Sequence, residues 1–399
     1  MSKTVTSQAR VYAAIEHKTT DRIPCDFLAT AEVWDLMVAH LQPDTTGLAG
    51  MFWLQPEREA ILRMFDIDCR LFSYDMFCRP PEEVLKPTAR VDWWSTLIRS
   101  TPNRMWRQIT PDGRLYDIWG VPYQLEEHAF GQYEGYAYWL FGNATSVSEL
   151  KNHPWPTPAW WDFTELPAMI DRLQQDGPYH VRFRLGSFFE QAWAMRGLEQ
   201  FMLDLATDPA IPEYLMDRIL EIHLENLKTV LALAGDRLDM VYTYDDVATQ
   251  NSLLISPKTW RKLIKPRHQK ILELIHSYGK PAMYHCDGAV APLIPELIEM
   301  GVNVLNPVQP DAKGMDPATL KAAYGDKLTF HGGIDIIKTL PRGTVAQVQQ
   351  EVRARVELLG QGGGYIMCSS HHLQPDTPLE NVLAMYDPAL REPGDSAAG

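Results

Sequence analysis

Two runs near the C-terminus carry side chains able to hold a metal ion. PAMYHCDG (281–288) places His285 and Asp287 two residues apart, and GYIMCSSHH (364–372) supplies His371. Alternate residues of a strand share a face, so His285 and Asp287 point together and Cys286 points away. An imidazole, a carboxylate and a second imidazole from a neighbouring strand suit Zn²⁺, with three protein ligands and one open position. Cys286 or Cys368 is the thiolate alternative for one of those places. The plainer alternative is that the histidines only hydrogen-bond to their neighbours. DMVYTYDD (239–246) ends in Asp245 and Asp246. Close carboxylates raise one another's pKa and can keep an acid protonated near neutrality; a helix cap with a buried acceptor explains the same pair. Asp246 and Glu190, which closes HVRFRLGSFFE (180–190), are the candidate catalytic carboxyls. Asn306, Gln309, His331 and Asp245 are the candidate substrate contacts. The Gly pair in LTFHGGID (328–335) either admits a ligand close to the backbone or serves packing.

All these residues end apolar stretches. Six such stretches, 180–190, 239–246, 281–288, 302–309, 328–335 and 364–372, each lead into polar residues and then a helical pattern. Helices are expected at 165–176, 196–206, 209–235, 256–279, 291–301, 316–324, 344–359 and 379–388, with a kink at Pro266. Such βα alternation predicts a parallel sheet with helices outside, and polar strand ends at one rim predict a TIM-like (β/α)8 barrel. An open doubly wound sheet is the competitor, but no GxGxxG or Walker loop follows a strand.

Ahead of the barrel pattern, helices are expected at 7–18, 31–41 and 55–65 and a strand at 67–75. Residues 80–163 read as an aromatic-rich, β-rich insertion, with LYDIWGVPYQL its clearest strand pair. The whole, residues 1–390, reads as one domain with an N-terminal helical and β-rich insertion, and 391–399 as a disordered tail. Ten of the twelve tryptophans lie in the first 165 residues: Trp34, Trp53, Trp93, Trp94, Trp106, Trp119, Trp139, Trp155, Trp160 and Trp161. They serve either as packing or as an apolar wall for a flat ligand.

A net charge of −14 over 399 residues argues against a general nucleic-acid-binding surface. Five scattered cysteines are not a disulfide framework, so a reducing cytoplasm is expected. No secretory signal and no membrane-spanning run is visible.

Longer motifs add a resemblance. RVYAAIEHKTTDRIPCDF, DIWGVPYQ, TYDDVATQNSLLISPKTW, HCDGAVAPLIPELIEMGVNVLNPVQP, FHGGIDIIKTLP and GGGYIMCSSHHLQPDTPLENVLAMYD follow in order. Together they resemble the uroporphyrinogen decarboxylase superfamily, in particular its corrinoid-dependent methyltransferase-like branch. The resemblance implies a TIM-like barrel. True decarboxylases of the family bind substrate carboxylates through an Arg-rich N-terminal segment. The corresponding DFLATAEVWDLM has no arginine, which counts against that activity. In the methylcobalamin:coenzyme M enzymes, zinc sits on a His-x-Cys pair and a distant Cys. The resemblance places His285 on the His, Asp287 on the first Cys and His371 on the second.

A His/Asp/His set is harder than a thiolate set and favours an oxygen-containing ligand. The expectation is therefore a zinc-dependent methyltransferase. It would take a methyl group from a small methylated, by preference O-methyl, compound and pass it to cobalt of a corrinoid on a separate partner protein. The alternatives are a cofactor-free decarboxylase of a small or tetrapyrrole carboxylic acid, and a binding protein that has lost turnover. A homodimer is compatible with the family.

Overall fold

A computed structural model describes residues 5–48, 55–86, 90–92, 107–129 and 131–392. The expected tail beyond 392 and Trp53, Trp93, Trp94 and Trp106 lie outside these residues. After β1 (Cys69–Ser73) comes a separate antiparallel sheet of β2 (Arg90–Asp92), β3 (Arg107–Ile109), β4 (Leu115–Tyr116), β5 (Pro122–His128) and β6 (Gly131–Tyr136). The remaining strands are β7 (His180–Arg184), β8 (Met240–Tyr244), β9 (Ala282–His285), β10 (Val304–Val308), β11 (Thr329–Ile334) and β12 (Tyr365–Ser369). With β1 they form one parallel sheet in the order β1-β7-β8-β9-β10-β11-β12. All six apolar stretches named above are strands of it. Such strands are covered on both faces, which is why they read as near-continuous apolar runs.

The chain from Pro24 to Thr30 lies between the two ends of this sheet. It exchanges backbone hydrogen bonds with β12, Asp26 N–H to Met367 O (2.9 Å) and Met367 N–H to Pro24 O (2.8 Å). On its other side Asp68 N–H donates to Cys25 O (3.0 Å), just ahead of β1. The sheet therefore curls back on itself in the manner of a TIM barrel. Pro24 has no N–H and contributes only its carbonyl.

Helix Ser7–Ile15 seals the N-terminal end. Val11 and Ala14 pack against Cys69, Met240, Met283, Val304 and Ile366, residues at or near the starts of five strands. An apolar plug at the bottom leaves the C-terminal rim as the open end. The plug is anchored by Asp68, fully buried, whose carboxylate meets Arg10 Nη1 and Arg22 Nη1 (both 2.7 Å) and the Cys25 N–H (2.9 Å). Asp68→Ala would remove the buried carboxylate shared by two guanidinium groups and leave them only the more exposed Asp21 and Asp66. It is expected to lower unfolding free energy by about 3–5 kcal/mol, read by urea denaturation.

Helices Leu198–Thr207, Ala210–Ala234, Pro317–Tyr324 and Val345–Gly360 fall where the periodicity predicts them. The kink expected at Pro266 is a π-helical turn over Trp260–Ile264, directly before it. The expected strand pair LYDIWGVPYQL is β4 and β5, joined by a turn in which Asp117 Oδ1 accepts from the N–H groups of Trp119 and Val121 (both 2.9 Å). This second sheet rests on helix Phe189–Arg196: Gln191 Nε2 donates to Asp117 Oδ2 (3.2 Å), and Tyr136 meets Trp193 edge to face. Trp34, Trp119, Trp155, Trp160 and Trp161 are buried in the apolar core. Trp139 is 41% exposed.

Candidate metal centre

β8 and β9 run side by side with Tyr244 opposite His285. The chain leaves both strands immediately beyond this pair, so Asp246 and Asp287 arrive on one level at the rim. Gly288 then turns the chain sharply at φ 81°; a Cβ there would lie 2.4 Å from Thr249 O. The result is a tight group: single ligand atoms of Asp246, His285 and Asp287 lie within 4.8 Å of one another. His285 Nε2 is 3.7 Å from Asp246 Oδ1 and 3.8 Å from Asp287 Oδ1. His371, from the loop after β12, reaches the group with Nε2 3.4 Å from Asp287 Oδ2.

Three observations bear on whether a metal fits. Donor atoms about 2.0–2.2 Å from a tetrahedral ion stand roughly 3.3–3.6 Å apart, close to the separations found here. Asp287 Oδ1 is buried and has no hydrogen-bond partner, an arrangement that a bound cation or an ordered water would satisfy. Asp246 and His371 each keep 34% of their side-chain surface exposed, so the group is open to the lumen on one side. The residues fit a divalent cation.

The sequence expectations meet this geometry unevenly. His285 and Asp287 come together, with His371 beside Asp287. Asp246, expected as an acid, stands among the possible ligands. Its Oδ1 also accepts from the Asp287 N–H (2.7 Å). Glu190 adjoins it, its Oε1 accepting from the Asp246 N–H (2.8 Å). Burial, with Asp246 and Asp245 close by, holds the Glu190 carboxyl well above the usual carboxylate range. Burial raises Asp246 too; His285 opposes this and Asp287 adds to it.

Asp245 does not face the lumen. It is fully buried, and its Oδ1 accepts from the N–H groups of Phe189 and Glu190 (2.9 and 3.0 Å). It is thus a helix cap, placed there by the one-residue alternation with Asp246, and its role as a substrate contact is corrected to one of fixing Glu190. Gln309 is also buried, and its Oε1 accepts from Gly288 N–H (2.8 Å); it secures the turn after Asp287.

Asn306 and His331 form part of a buried chain. Asn306 Oδ1 is 2.6 Å from His285 Nδ1, and its Nδ2 is 2.6 Å from His331 Nδ1. His331 Nε2 is 2.8 Å from Asp26 Oδ2, which also meets Arg182 Nη2. Their polar atoms face one another, which corrects the expectation that they contact substrate. The thiolate alternatives are corrected as well. Cys286 is fully buried and turned from the lumen, its Sγ 3.4 Å from Val247 N and 3.3 Å from Asp287 O, and burial pushes its thiol well up. Cys368 is fully buried, and burial raises its thiol too. The Gly332–Gly333 pair serves packing: a Cβ on Gly332 (φ 101°) would meet Pro307 Cβ at 3.2 Å.

Sequence reasoning passed over Asp26, Arg182, Tyr242 and Tyr244. The tyrosine rings flank His285 at 6.0 and 6.3 Å. Period-2 spacing of Arg182 with Arg184, and of Tyr242 with Tyr244, was the available signal.

Comparison with known proteins follows the same lines. Methylcobamide:CoM methyltransferase MtaA of Methanosarcina barkeri is 27% identical over 227 residues, 55% of this chain and 62% of that protein. Methylated-thiol–coenzyme M methyltransferase of Methanosarcina mazei is 25% identical over 228 residues, 56% of each chain. These matches thus span about three-fifths of the relatives' length. A solved methyltransferase from Methanosarcina mazei has the same fold, with a TM-score of 0.62 and 15% identity over 95% of this chain and 97% of that one. The family model for uroporphyrinogen decarboxylase (URO-D) matches residues 184–391. That is just over half of the chain and includes Glu190, Asp246, His285, Asp287 and His371, so the chain belongs to the URO-D family.

Proposed function

We propose that this chain is a zinc-dependent methyltransferase that moves a methyl group from a small O-methylated compound to the cobalt of a corrinoid on a separate protein. The observation that carries the reading is the His285–Asp287–Asp246 group with its unpartnered Asp287 oxygen. His285, Asp287 and His371 would hold the ion, with Asp246 as a further donor. Bound there, zinc supplies Lewis acidity toward the oxygen that leaves the methyl group. The similarity to the two coenzyme M methyltransferases supports methyl transfer as the reaction class. Cys286 turns away from the group and Cys368 groups instead with Asp26 and His331, and a donor set of nitrogen and oxygen supports an oxygen rather than a sulfur leaving group.

The chain's own residues account for the rest. The Tyr242 and Tyr244 rings give the methylated compound an apolar wall beside His285. Glu190 stores a proton, because burial among carboxylates disfavours its anion. As the C–O bond breaks, the methyl group passes to Co(I), which supplies the bonding electron pair, and the leaving oxygen takes the Glu190 proton.

The test is metal analysis followed by incubation with cob(I)alamin and a series of methoxylated aromatics and methylamines. One zinc per chain and formation of methylcobalamin from an O-methyl donor are expected. Metal-free protein that releases CO2 from a carboxylic acid would replace this reading with the lyase one.

A further inference from the structure

We propose that the buried chain Arg182–Asp26–His331–Asn306 fixes the tautomer of His285, holding its proton on Nδ1 so that Nε2 meets the carboxylates as a bare lone pair. The proposal rests on the reading of His285 as a metal ligand, and it makes Asn306, His331 and Asp26 positioning residues for that ligand.

The direction of every hydrogen bond follows from one end. Arg182 can only donate, and it donates to Asp26 Oδ2. The Asp26 carboxylate is held well below the usual range; Arg182 and the His331 bond outweigh the burial that opposes them. An anion can only accept, so His331 donates from Nε2 to the same oxygen (2.8 Å). Burial lowers the proton affinity of His331, which keeps the ring neutral. Its Nδ1 is then an acceptor and takes a hydrogen from the Asn306 amide nitrogen (2.6 Å). That orients the amide, and its oxygen must accept from His285 Nδ1 (2.6 Å). Reversing the amide would place an N–H against the His285 Nδ1, drive the proton to Nε2 and put it where a metal must bind. Asp26, Arg182, His331 and Asn306 are each at least nine-tenths buried, so water does not compete for these bonds. Partners of this kind, which orient a ligand through its second nitrogen, alter metal affinity when removed.

The experiment measures two things in ¹⁵N-histidine-labelled protein. Long-range ¹H–¹⁵N correlation spectra of the metal-free protein give the His285 tautomer, assigned by comparison with His285→Ala. Competition against a chromophoric chelator gives the zinc affinity. Wild type is expected to carry the proton on Nδ1. Asn306→Asp keeps an acceptor for His285 Nδ1 and is expected to retain the Nδ1–H tautomer, although its second oxygen replaces the donor to His331 Nδ1. Asn306→Leu and His331→Leu are expected to leave the tautomer mixed and lower zinc affinity about 10–100-fold. His331→Leu is informative because His331 does not touch His285, and circular dichroism shows whether each variant is folded. A wild-type His285 protonated on Nε2 overturns the proposal, as does a single Nδ1–H tautomer with full affinity in a folded Asn306→Leu. If wild type shows the Nδ1–H tautomer but binds no zinc, the chain of bonds stands and the metal reading falls.

Discussion

His285→Ala is expected to lose bound zinc and methyl transfer together. Nε2 lies close to both carboxylates, 3.7 Å from Asp246 and 3.8 Å from Asp287. Without it, His371 still meets Asp287 and the Asp287 N–H still holds Asp246 Oδ1, but the imidazole between the two carboxylates is gone. Cys286 cannot take its place, because it lies on the opposite face and burial pushes its thiol pKa well up. The Lewis acidity lost with the ion is worth several kcal/mol of barrier, about three decades in rate. Folding should survive. His285 ends its strand, and the side-chain bond to Asn306 that disappears with it is worth about 1 kcal/mol. Metal content by mass spectrometry, methylcobalamin formation and a thermal melt are measured on the same preparation. A variant that keeps one zinc per chain and full activity would show that the centre lies elsewhere.

The same residue shows how far the sequence was legible. His285 and Asp287 share a face because strand side chains alternate, and that rule needs only their spacing. The barrel strands were legible for a related reason: runs such as MVYTY and VLNPV are mostly or wholly buried and punctuated by helix-period segments. Asp245 and Asp246 were legible as a divided pair, but spacing alone could not say which one turns inward. That depends on where helix Phe189–Arg196 begins, since its N–H groups claim Asp245. The partners of His285 were beyond reach for a different reason. Asp26 and His331 are 305 residues apart, and they meet only because the N-terminal segment lies beside β12. A local pattern contains no information about that closure. Asn306 and His331 were thus noticed for their chemistry and given the wrong neighbours. Gln309 likewise holds the turn at Gly288, which becomes visible only once β9 and β10 are adjacent.

Glu190→Gln is expected to separate proton delivery from metal binding. The side chain begins helix Phe189–Arg196, capped by Asp245, so its position is set by backbone rather than by the ion. Glutamine is close in shape, and its oxygen can still accept from the Asp246 N–H, the 2.8 Å bond made by Glu190 Oε1. Fold and zinc content should therefore match wild type. The amide has no acidic proton, and loss of a general acid costs roughly 10²–10⁴ in rate. The fall should appear in kcat with KM little changed, because the proton is needed only as the C–O bond breaks. The pH profile supplies the sign. Burial and the neighbouring carboxylates raise the Glu190 pKa, so wild type keeps the proton to higher pH than an ordinary carboxyl does and loses it as pH rises further. Its rate should decline as pH rises through that pKa, and the glutamine variant should be slow and flat over the same interval. A donor whose leaving group is itself a weak base, such as an aryl ether with electron-withdrawing substituents, needs less protonation. Its transfer should suffer less in the variant than that of an alkyl ether. Equal kcat for wild type and variant, or an equal loss for both donors, would remove Glu190 from the acid's role and turn attention to Asp246, the other carboxyl first named as a candidate acid.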